Sequence, residues 1–146
     1  MMKLYQATSK DVHTVTNLAL QLWPDNDSPT LSEEFRELLL QPDCAVFLAE
    51  MEGKPAGFAQ CQLRHDYVEG TETSPVGYLE GIFVSPEWRK NGLARMLLSA
   101  CESWAKSRSC QEFASDCELE NLTSLQFHLA VGFEEANRII CFRKAL

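Results

Sequence analysis

The stretch that decides the fold of this 146-residue chain is YLEGIFVSPEWRKNGLARMLL, residues 78–98. Its first part contains Ile82, Phe83 and Val84, which are β-branched or aromatic and form a short apolar run typical of a strand. The run ends at Ser85-Pro86, because proline cannot donate a hydrogen bond to a neighbouring strand. The stretch therefore predicts a strand, followed by a basic glycine turn and the start of a helix.

The helix after the turn is predicted from the period of its apolar residues. These residues recur three or four positions apart and so lie on one side of a helix, with polar residues on the other. The apolar stripe consists of Leu93, Leu97, Ala100, Cys101, Trp104 and Ala105. Residues 89–94 then lie where the helix begins.

The turn at residues 89–94 has the properties of an anion-binding site. The backbone N–H groups in the first turn of a helix have no partner within the helix and carry partial positive charge. Gly92 would let a ligand approach the backbone without a Cβ atom in the way. We therefore predict that a pyrophosphate group binds here.

The pattern Arg-x-x-Gly-x-Ala at Arg89, Gly92 and Ala94 resembles the acyl-CoA signature of the Gcn5-related N-acetyltransferases. The preceding strand, the Val84-Ser85-Pro86 connection and the apolar helix agree with that family. The resemblance implies that acetyl-CoA is the co-substrate. It implies the following contacts for acetyl-CoA: Ile82, Phe83, Val84, Arg89, Lys90, Asn91, Gly92, Leu93 and Ala94.

Length and composition are those of a globular protein with a single domain, residues 1–146. The net charge of −8, from 13 basic and 21 acidic residues, disfavours binding to nucleic acid or acidic membranes and favours a cationic ligand. Without an apolar leader or a membrane-spanning run, we expect a cytoplasmic protein. The six cysteines form no C-x-x-C pair, so we expect reduced, buried thiols and no metal site.

The other elements follow from local signals along the chain. Two helices should follow the first strand, the second opened by a capping box at Thr30-Leu31-Ser32-Glu33. The expected strands are Lys3–Gln6, Cys44–Met51, Ala56–His65, Tyr78–Val84, Glu112–Asp116 and a last one from Phe133, extended through Arg138 to Lys144. The order predicts a mixed α/β fold with a sheet covered by helices on both faces, and the resemblance implies the mostly antiparallel acyl-CoA N-acyltransferase fold.

A second segment, from Asn121 and Ser124 to Gly132-Phe133, resembles the family's Asn-x-x-Ser…Gly-Phe segment, and the resemblance adds Asn121 to the cofactor contacts. The longer stretches 21–24, 64–68, 79–84, 114–116 and 132–135 are similar to those of the aminoglycoside 6′-N-acetyltransferases of Gram-negative bacteria. This wider resemblance implies transfer of acetyl from acetyl-CoA directly to the 6′-amine of an aminoglycoside, giving antibiotic resistance. By resemblance alone, it also implies a homodimer.

The resemblance places the thioester beside the strand at residues 82–84, where a bound amine can attack it directly and no enzyme nucleophile is needed. Glu80 and Asp116 match the family's substrate-binding acids, and we expect them to be the catalytic pair. We expect Glu80 to accept the proton of the reacting amine, directly or through a water, and Asp116 to bind and orient the charged substrate. The roles are separate because a carboxylate that stabilises an ammonium also disfavours the loss of its proton.

Four further residues are expected to bind the acceptor by resemblance: Trp23, Asn26, Tyr67 and Asn137. Asn137 departs from the family, in which an acid stands at this position. Another departure concerns the leaving thiolate, which many members protonate with a tyrosine that this chain lacks on its last helix or strand. His128 is expected to have a structural or cofactor-adjacent role.

Two other functions are also compatible with an acetyl-CoA-binding turn at residues 89–94. An acetyltransferase for another small polyamine or for protein N-termini would differ only in its acceptor pocket. A non-catalytic acetyl-CoA-binding module would need no acidic pocket, and Glu80 and Asp116 argue against it.

Overall fold

The computed structural model describes all 146 residues and contains a five-stranded sheet with four α-helices. The strands are β1 (Met2–Gln6), β2 (Cys44–Met51), β3 (Lys54–Arg64), β4 (Val76–Val84) and β5 (Phe113–Ala114). The helices are α1 (Val12–Leu22), α2 (Ser28–Leu38), α3 (Leu93–Ser107) and α4 (Leu122–Ala130). None of the helices combines the length and the apolar character needed to cross a bilayer.

The strands lie in the sheet in chain order, β1-β2-β3-β4-β5. The first four are antiparallel, and only β5 runs parallel to its neighbour β4. Strands β2 and β3 form an antiparallel hairpin, with a turn at Glu52 and Gly53 in which both residues have positive φ. A parallel pair needs a crossover, which α3 supplies between β4 and β5.

Both faces of the sheet are covered, as predicted. One core cluster joins α1 and α2 to Val46, Leu48 and Phe58 on one face. The other joins the apolar stripe of α3 to the opposite face, and Leu97 and Cys101 in that stripe are fully buried. Alternate residues of a strand point to opposite faces, so β2 and β3 contribute to both clusters.

Helix α2 begins at Ser28 with Asp27 as its N-cap, three residues before the predicted N-cap Thr30, and the capping box at Thr30–Glu33 is wrong. Asp27 is the capping residue: its carboxylate accepts hydrogen bonds from the Thr30 backbone N–H, at 3.0 Å, and from the Thr30 hydroxyl. Pro29 lies in the first turn, where its missing N–H would have no helical partner. The helix therefore begins after Asp27, and Thr30 lies within its first turn instead of capping it.

The predicted final strand from Phe133 through Arg138 to Lys144 is wrong, since residues 133–146 form no strand or helix. A strand needs a neighbour for its backbone groups, and the sheet ends at β5, which has only two residues. Ile140 and Phe142 are 80% and 90% exposed. Their apolar pattern is typical of a strand, but the fold of one chain offers it no partner.

Two smaller expectations also need correction. The strand expected over Glu112–Asp116 is limited to Phe113–Ala114, and Glu112 instead accepts hydrogen bonds from the backbone N–H groups of Glu72 and Thr73. All six cysteines are free thiols, but Cys117 and Cys141 are exposed. No group of three His, Cys, Asp or Glu side chains is arranged to hold a metal ion.

Candidate active site

The site begins where β4 and β5 separate. The two strands pair only at Gly77 with Phe113 and at Tyr78 with Ala114. Beyond Tyr78, the edge of β4 that faces β5 has no strand partner. Backbone donors and acceptors on such an edge are free to pair with an extended ligand.

A β-bulge on β4 positions Glu80 at this opening. Gln60 pairs with Gly81 and Cys61 pairs with Leu79, so Glu80 is the extra residue between them. The bulge also changes the side-chain alternation: Leu79 and Ile82, an odd number of positions apart, both pack on the α3 side of the sheet. Glu80 belongs to neither core cluster and instead lines both cavities described below.

Two cavities meet at Trp23 and Glu80. The larger, of about 370 Å³, lies between α1, α2 and the sheet and is also lined by Asn26 and Glu34. The smaller, of about 220 Å³, lies in the gap between β4 and β5. Its polar lining includes Ser115, Asp116, Glu118, Asn121, Ser124 and His128. The acids around both cavities give the site a negative potential.

Glu80 and Asp116 belong to one network of side chains. The Arg64 guanidinium donates two hydrogen bonds to the Glu80 carboxylate, at 3.0 and 3.1 Å, and stacks on the Tyr78 ring at 3.4 Å. The Tyr78 hydroxyl donates to Asp116. Glu80 therefore has a cationic partner, whereas the partner of Asp116 is neutral and leaves its charge uncompensated.

Tyr78 is held in its neutral form. Burial, and next the hydrogen bond to Asp116, raise the pKa of Tyr78 well above its usual value. Its proton is thus committed to Asp116 and fixes the orientation of that carboxylate. Neither Arg64 nor Tyr78 was identified as a site residue from the sequence, because the pairing depends on the β3–β4 register.

The glycine turn has the predicted form. Gly92 is the N-cap of α3 in the left-handed conformation (φ +78°), and no side chain caps the helix. A Cβ atom built on Gly92 meets nothing within 4 Å. The first N–H groups of α3 therefore face open space, as a phosphate-binding turn requires.

Residues beside Gly92 shape the turn through contacts of their own. Arg89 Nε donates to the carbonyl of Val84 at 2.8 Å, and Asn91 Nδ2 donates to the carbonyls of Trp88 and Arg89. Lys90 has positive φ and is exposed, and Leu93 is buried in the core. Arg89 and Asn91 thus hold the turn, and Lys90 remains available as a cation.

Gly81 allows Trp23 to reach the opening. A Cβ atom at Gly81 would lie 2.7 Å from the Cζ2 and Cη2 atoms of the indole. The indole also packs edge-on against Phe58, with 6.0 Å between the ring centroids. Trp23 is therefore held across the bulged strand, between the two cavities.

The structure brings together most of the predicted acceptor residues, but not all. Trp23, Asn26, Glu80 and Asp116 line the cavities, whereas Tyr67 and Asn137 do not. Tyr67 is 76% exposed in the loop between β3 and β4, and Asn137 donates to Glu69 of that loop at 2.7 Å. The hydrogen bond between Asn137 and Glu69 connects the loop to the C-terminal segment.

The structure also adds residues that the sequence did not single out. Glu34 on α2 lines the larger cavity, and Ser115, directly after β5, lines the smaller one. Neither residue lies in a motif with a recognisable spacing. Ser115 becomes apparent only through its contact with His128, at 2.8 Å between the hydroxyl oxygen and Nε2.

Comparison with known proteins agrees with this geometry. The family model described as "Acetyltransferase (GNAT) family" matches residues 12–133. An aminoglycoside N(6')-acetyltransferase type 1 of Stenotrophomonas maltophilia is 46% identical over 142 residues, which cover 97% of this chain and 92% of the relative.

Solved structures of the same kind superpose over the whole chain. AAC(6')-Iy in complex with the bisubstrate analog CoA-S-monomethyl-acetylneamine has a TM-score of 0.96 and 38% identity, covering 100% of this chain and 99% of that one. AAC(6')-Ih from Acinetobacter baumannii has a TM-score of 0.94 and 37% identity, covering 100% and 99%.

The parted sheet, the uncapped helix and the acidic cavities are those of an acyl-CoA-dependent acyltransferase. The chain belongs to the acetyltransferase (GNAT) family, and the predicted family and fold are confirmed.

Proposed function

We propose that the protein transfers the acetyl group of acetyl-CoA to the 6′-amine of aminoglycosides and so confers resistance to them. The observation that carries this proposal is the meeting of two acid-lined cavities at the unpaired edge of β4. The relatives named above act on aminoglycosides, and one was solved with a CoA–aminoglycoside analog.

The cofactor side of the site fits acetyl-CoA without further change. The pyrophosphate would lie against the N-terminus of α3 at Gly92, with Lys90 nearby as a cation. The pantetheine arm would extend along the free edge of β4, at residues 82–84, where its amides can pair with the backbone. The thioester would then enter the smaller cavity, which Asn121 also lines.

The acceptor side fits a polycation with sugar rings. Ammonium groups brought out of water need carboxylate or carbonyl partners. Asp116 offers an uncompensated carboxylate, and Glu34 adds a carboxylate that lines the larger cavity. Trp23 offers an apolar face to a ring. Tyr67 and Asn137 would contact only those parts of an acceptor that extend beyond the two cavities.

Acetyl transfer in this geometry needs no covalent enzyme intermediate. The amine, held between Glu80 and Asp116, attacks the thioester carbonyl, and the N–C bond forms as the C–S bond breaks with its electron pair on sulfur. The nitrogen loses its proton to Glu80, directly or through a water. Holding both reactants together removes several kcal/mol of barrier, roughly what proximity contributes in well-oriented reactions. A backbone N–H on the free edge of β4 can stabilise the developing oxyanion.

We expect thiol release from acetyl-CoA with aminoglycosides that carry a 6′-amine, and none with matched compounds that carry a 6′-hydroxyl. NMR of the product should place the acetyl group on N6′. Spermidine and a short peptide with a free N-terminus serve as competing acceptors. Acetylation at another nitrogen, or faster turnover of either competitor, would contradict the proposal.

We assign this activity to the whole chain, residues 1–146, acting as one domain. The cytoplasm, which supplies acetyl-CoA, is the compartment in which the reaction can run. The net charge of −8 supports a role away from nucleic acid and acidic membranes.

We propose further that the protein is a homodimer joined through residues 138–146. The support is the exposure of Ile139, Ile140 and Phe142, which are 66%, 80% and 90% accessible and close together in sequence. Large apolar side chains in such a cluster usually mark an interface. The same segment from a second copy would give each apolar side chain a partner.

We expect the double substitution Ile140→Asp/Phe142→Asp to convert the dimer into a monomer, because two buried charges without partners are costly at an interface. Analytical ultracentrifugation measures the mass directly. Leu40→Asp is the matched control, since Leu40 is also 72% exposed but lies just after α2. A monomeric wild-type protein would refute the assembly.

A further inference from the structure

The proposed reaction leaves a thiolate that must gain a proton, and none of the three tyrosines is placed to supply it. The Tyr78 hydroxyl donates to Asp116, and the Tyr5 hydroxyl donates to Glu50 at 3.1 Å. Tyr67 is exposed outside both cavities. A different group in the smaller cavity must therefore serve as the proton donor, or the thiolate leaves unassisted.

His128 and Ser115 form a connected pair in the lining of that cavity. His128 projects from α4, and Ser115 directly follows β5. The imidazole Nε2 lies 2.8 Å from the Ser115 hydroxyl oxygen, and Nδ1 lies 2.7 Å from the carbonyl oxygen of Ser124. Since a carbonyl oxygen can only accept, Nδ1 carries a proton in this arrangement.

The surroundings accommodate both protonation states of His128. When the imidazole is neutral, Nε2 accepts from the Ser115 hydroxyl. When it is an imidazolium, Nε2 donates to the same oxygen, and the hydroxyl proton turns elsewhere; the carbonyl of Leu79, 3.5 Å away, is one acceptor. A group that keeps its partners in both states can pass a proton without rearrangement of the backbone.

The imidazole is also fixed in place by its neighbours. Its ring packs against Phe127 at 5.8 Å and against Phe133 at 5.1 Å between centroids. The Phe133 backbone N–H donates to the carbonyl of His128, which ties the end of α4 to this cluster. Ser115 lines the smaller cavity and not the larger one. The smaller cavity is the one that the thioester would enter in the proposed reaction.

We propose that Ser115 and His128 form a proton relay to the leaving thiolate. As the C–S bond breaks, the electron pair stays on sulfur, and sulfur takes the Ser115 hydroxyl proton. Ser115 Oγ takes the Nε2 proton of the imidazolium, and the neutral His128 regains a proton from solvent before the next turnover. Ser115 is the catalytic residue, and His128 acts through it as a positioning and proton-supplying residue.

This proposal rests on the proposed function, and single-turnover acetyl transfer separates the two. The rate constant for product formation is measured with enzyme in excess over acetyl-CoA and with saturating aminoglycoside. Ser115→Ala and His128→Gln should each lower it roughly a hundredfold, the lower end of the usual range for general acids. Glutamine can still hydrogen-bond Ser115 but cannot transfer a proton, so His128→Gln separates proton supply from structural support.

Three further results are expected of a relay. The double variant should lose no more than the worse single one, because both residues act in one step. Added imidazole should restore part of the rate of His128→Ala, and KM for both substrates should stay within about twofold. His13→Gln, which removes an exposed histidine on α1, is the control.

Wild-type rate constants in folded Ser115→Ala or His128→Gln would overturn the relay. The relay would also be overturned if the losses in rate constant of the two single variants added up in the double variant and varied with the thermal unfolding midpoint. That result would indicate that Ser115 and His128 only hold β5 and α4 together. Failure of the wild-type protein to acetylate any aminoglycoside would instead overturn the proposed function. Ser115→Thr, which keeps the hydroxyl, should retain most of the rate.

Discussion

Gly92→Val should weaken acetyl-CoA binding roughly a hundredfold. A branched side chain would occupy the open space above the helix N-terminus and keep the pyrophosphate from the backbone N–H groups. Loss of two charge-assisted hydrogen bonds costs about 3 kcal/mol, which is roughly a hundredfold in affinity. Isothermal titration calorimetry with acetyl-CoA measures the change.

The chain offers a matched control for this substitution. Gly53, in the β2–β3 turn, has φ +76° and also has nothing within 4 Å of a built Cβ atom. Valine at either glycine should cost about 1–2 kcal/mol of backbone strain. Gly53→Val should therefore lower the unfolding midpoint about as much as Gly92→Val while leaving acetyl-CoA affinity unchanged. Equal affinities in the two variants would remove the turn from the binding site.

Glu80→Gln and Asp116→Asn should have large but different effects on turnover. Asp116 carries the uncompensated charge, so Asp116→Asn should raise KM for the aminoglycoside by roughly tenfold to a hundredfold, as for a lost charged hydrogen bond. KM for acetyl-CoA should not change. Glu80→Gln should mainly lower kcat, because Glu80 lies on the bulge beside the thioester edge. Steady-state kinetics of both variants is the measurement.

The Arg64–Glu80 ion pair is a further reason to expect different effects from the two substitutions. An ammonium that binds Glu80 must compete with the Arg64 guanidinium, whereas Asp116 presents no such competition. Tyr78→Phe is a useful companion, since it removes the donor that orients Asp116 and leaves its charge. If Glu80→Gln and Asp116→Asn change kcat and KM alike, the two acids share one role, and the proton leaves the amine through solvent.

Much of the fold follows from local pattern. The strand Cys44–Met51 is predicted to the residue, and α3 begins at Leu93, within the predicted residues 89–94. Both follow from the apolar period and the position of the glycine, which are local signals. The position of the glycine turn at the start of α3 follows in the same way. The start of α2 is missed by three residues because two capping signals, at Asp27 and Thr30, lie close together in one loop.

Residues close together in the chain were enough to predict the family, the glycine turn at the start of α3 and the types of the elements before the final segment. Which side chains meet could be seen only in the folded chain. The bulge that turns Glu80 outward, its pairing with Arg64, and the contact of His128 with Ser115 all depend on strand register and on where α4 packs. The final segment shows the same limit, because Ile140 and Phe142 have the pattern of a strand, but a strand forms only where another backbone lies beside it.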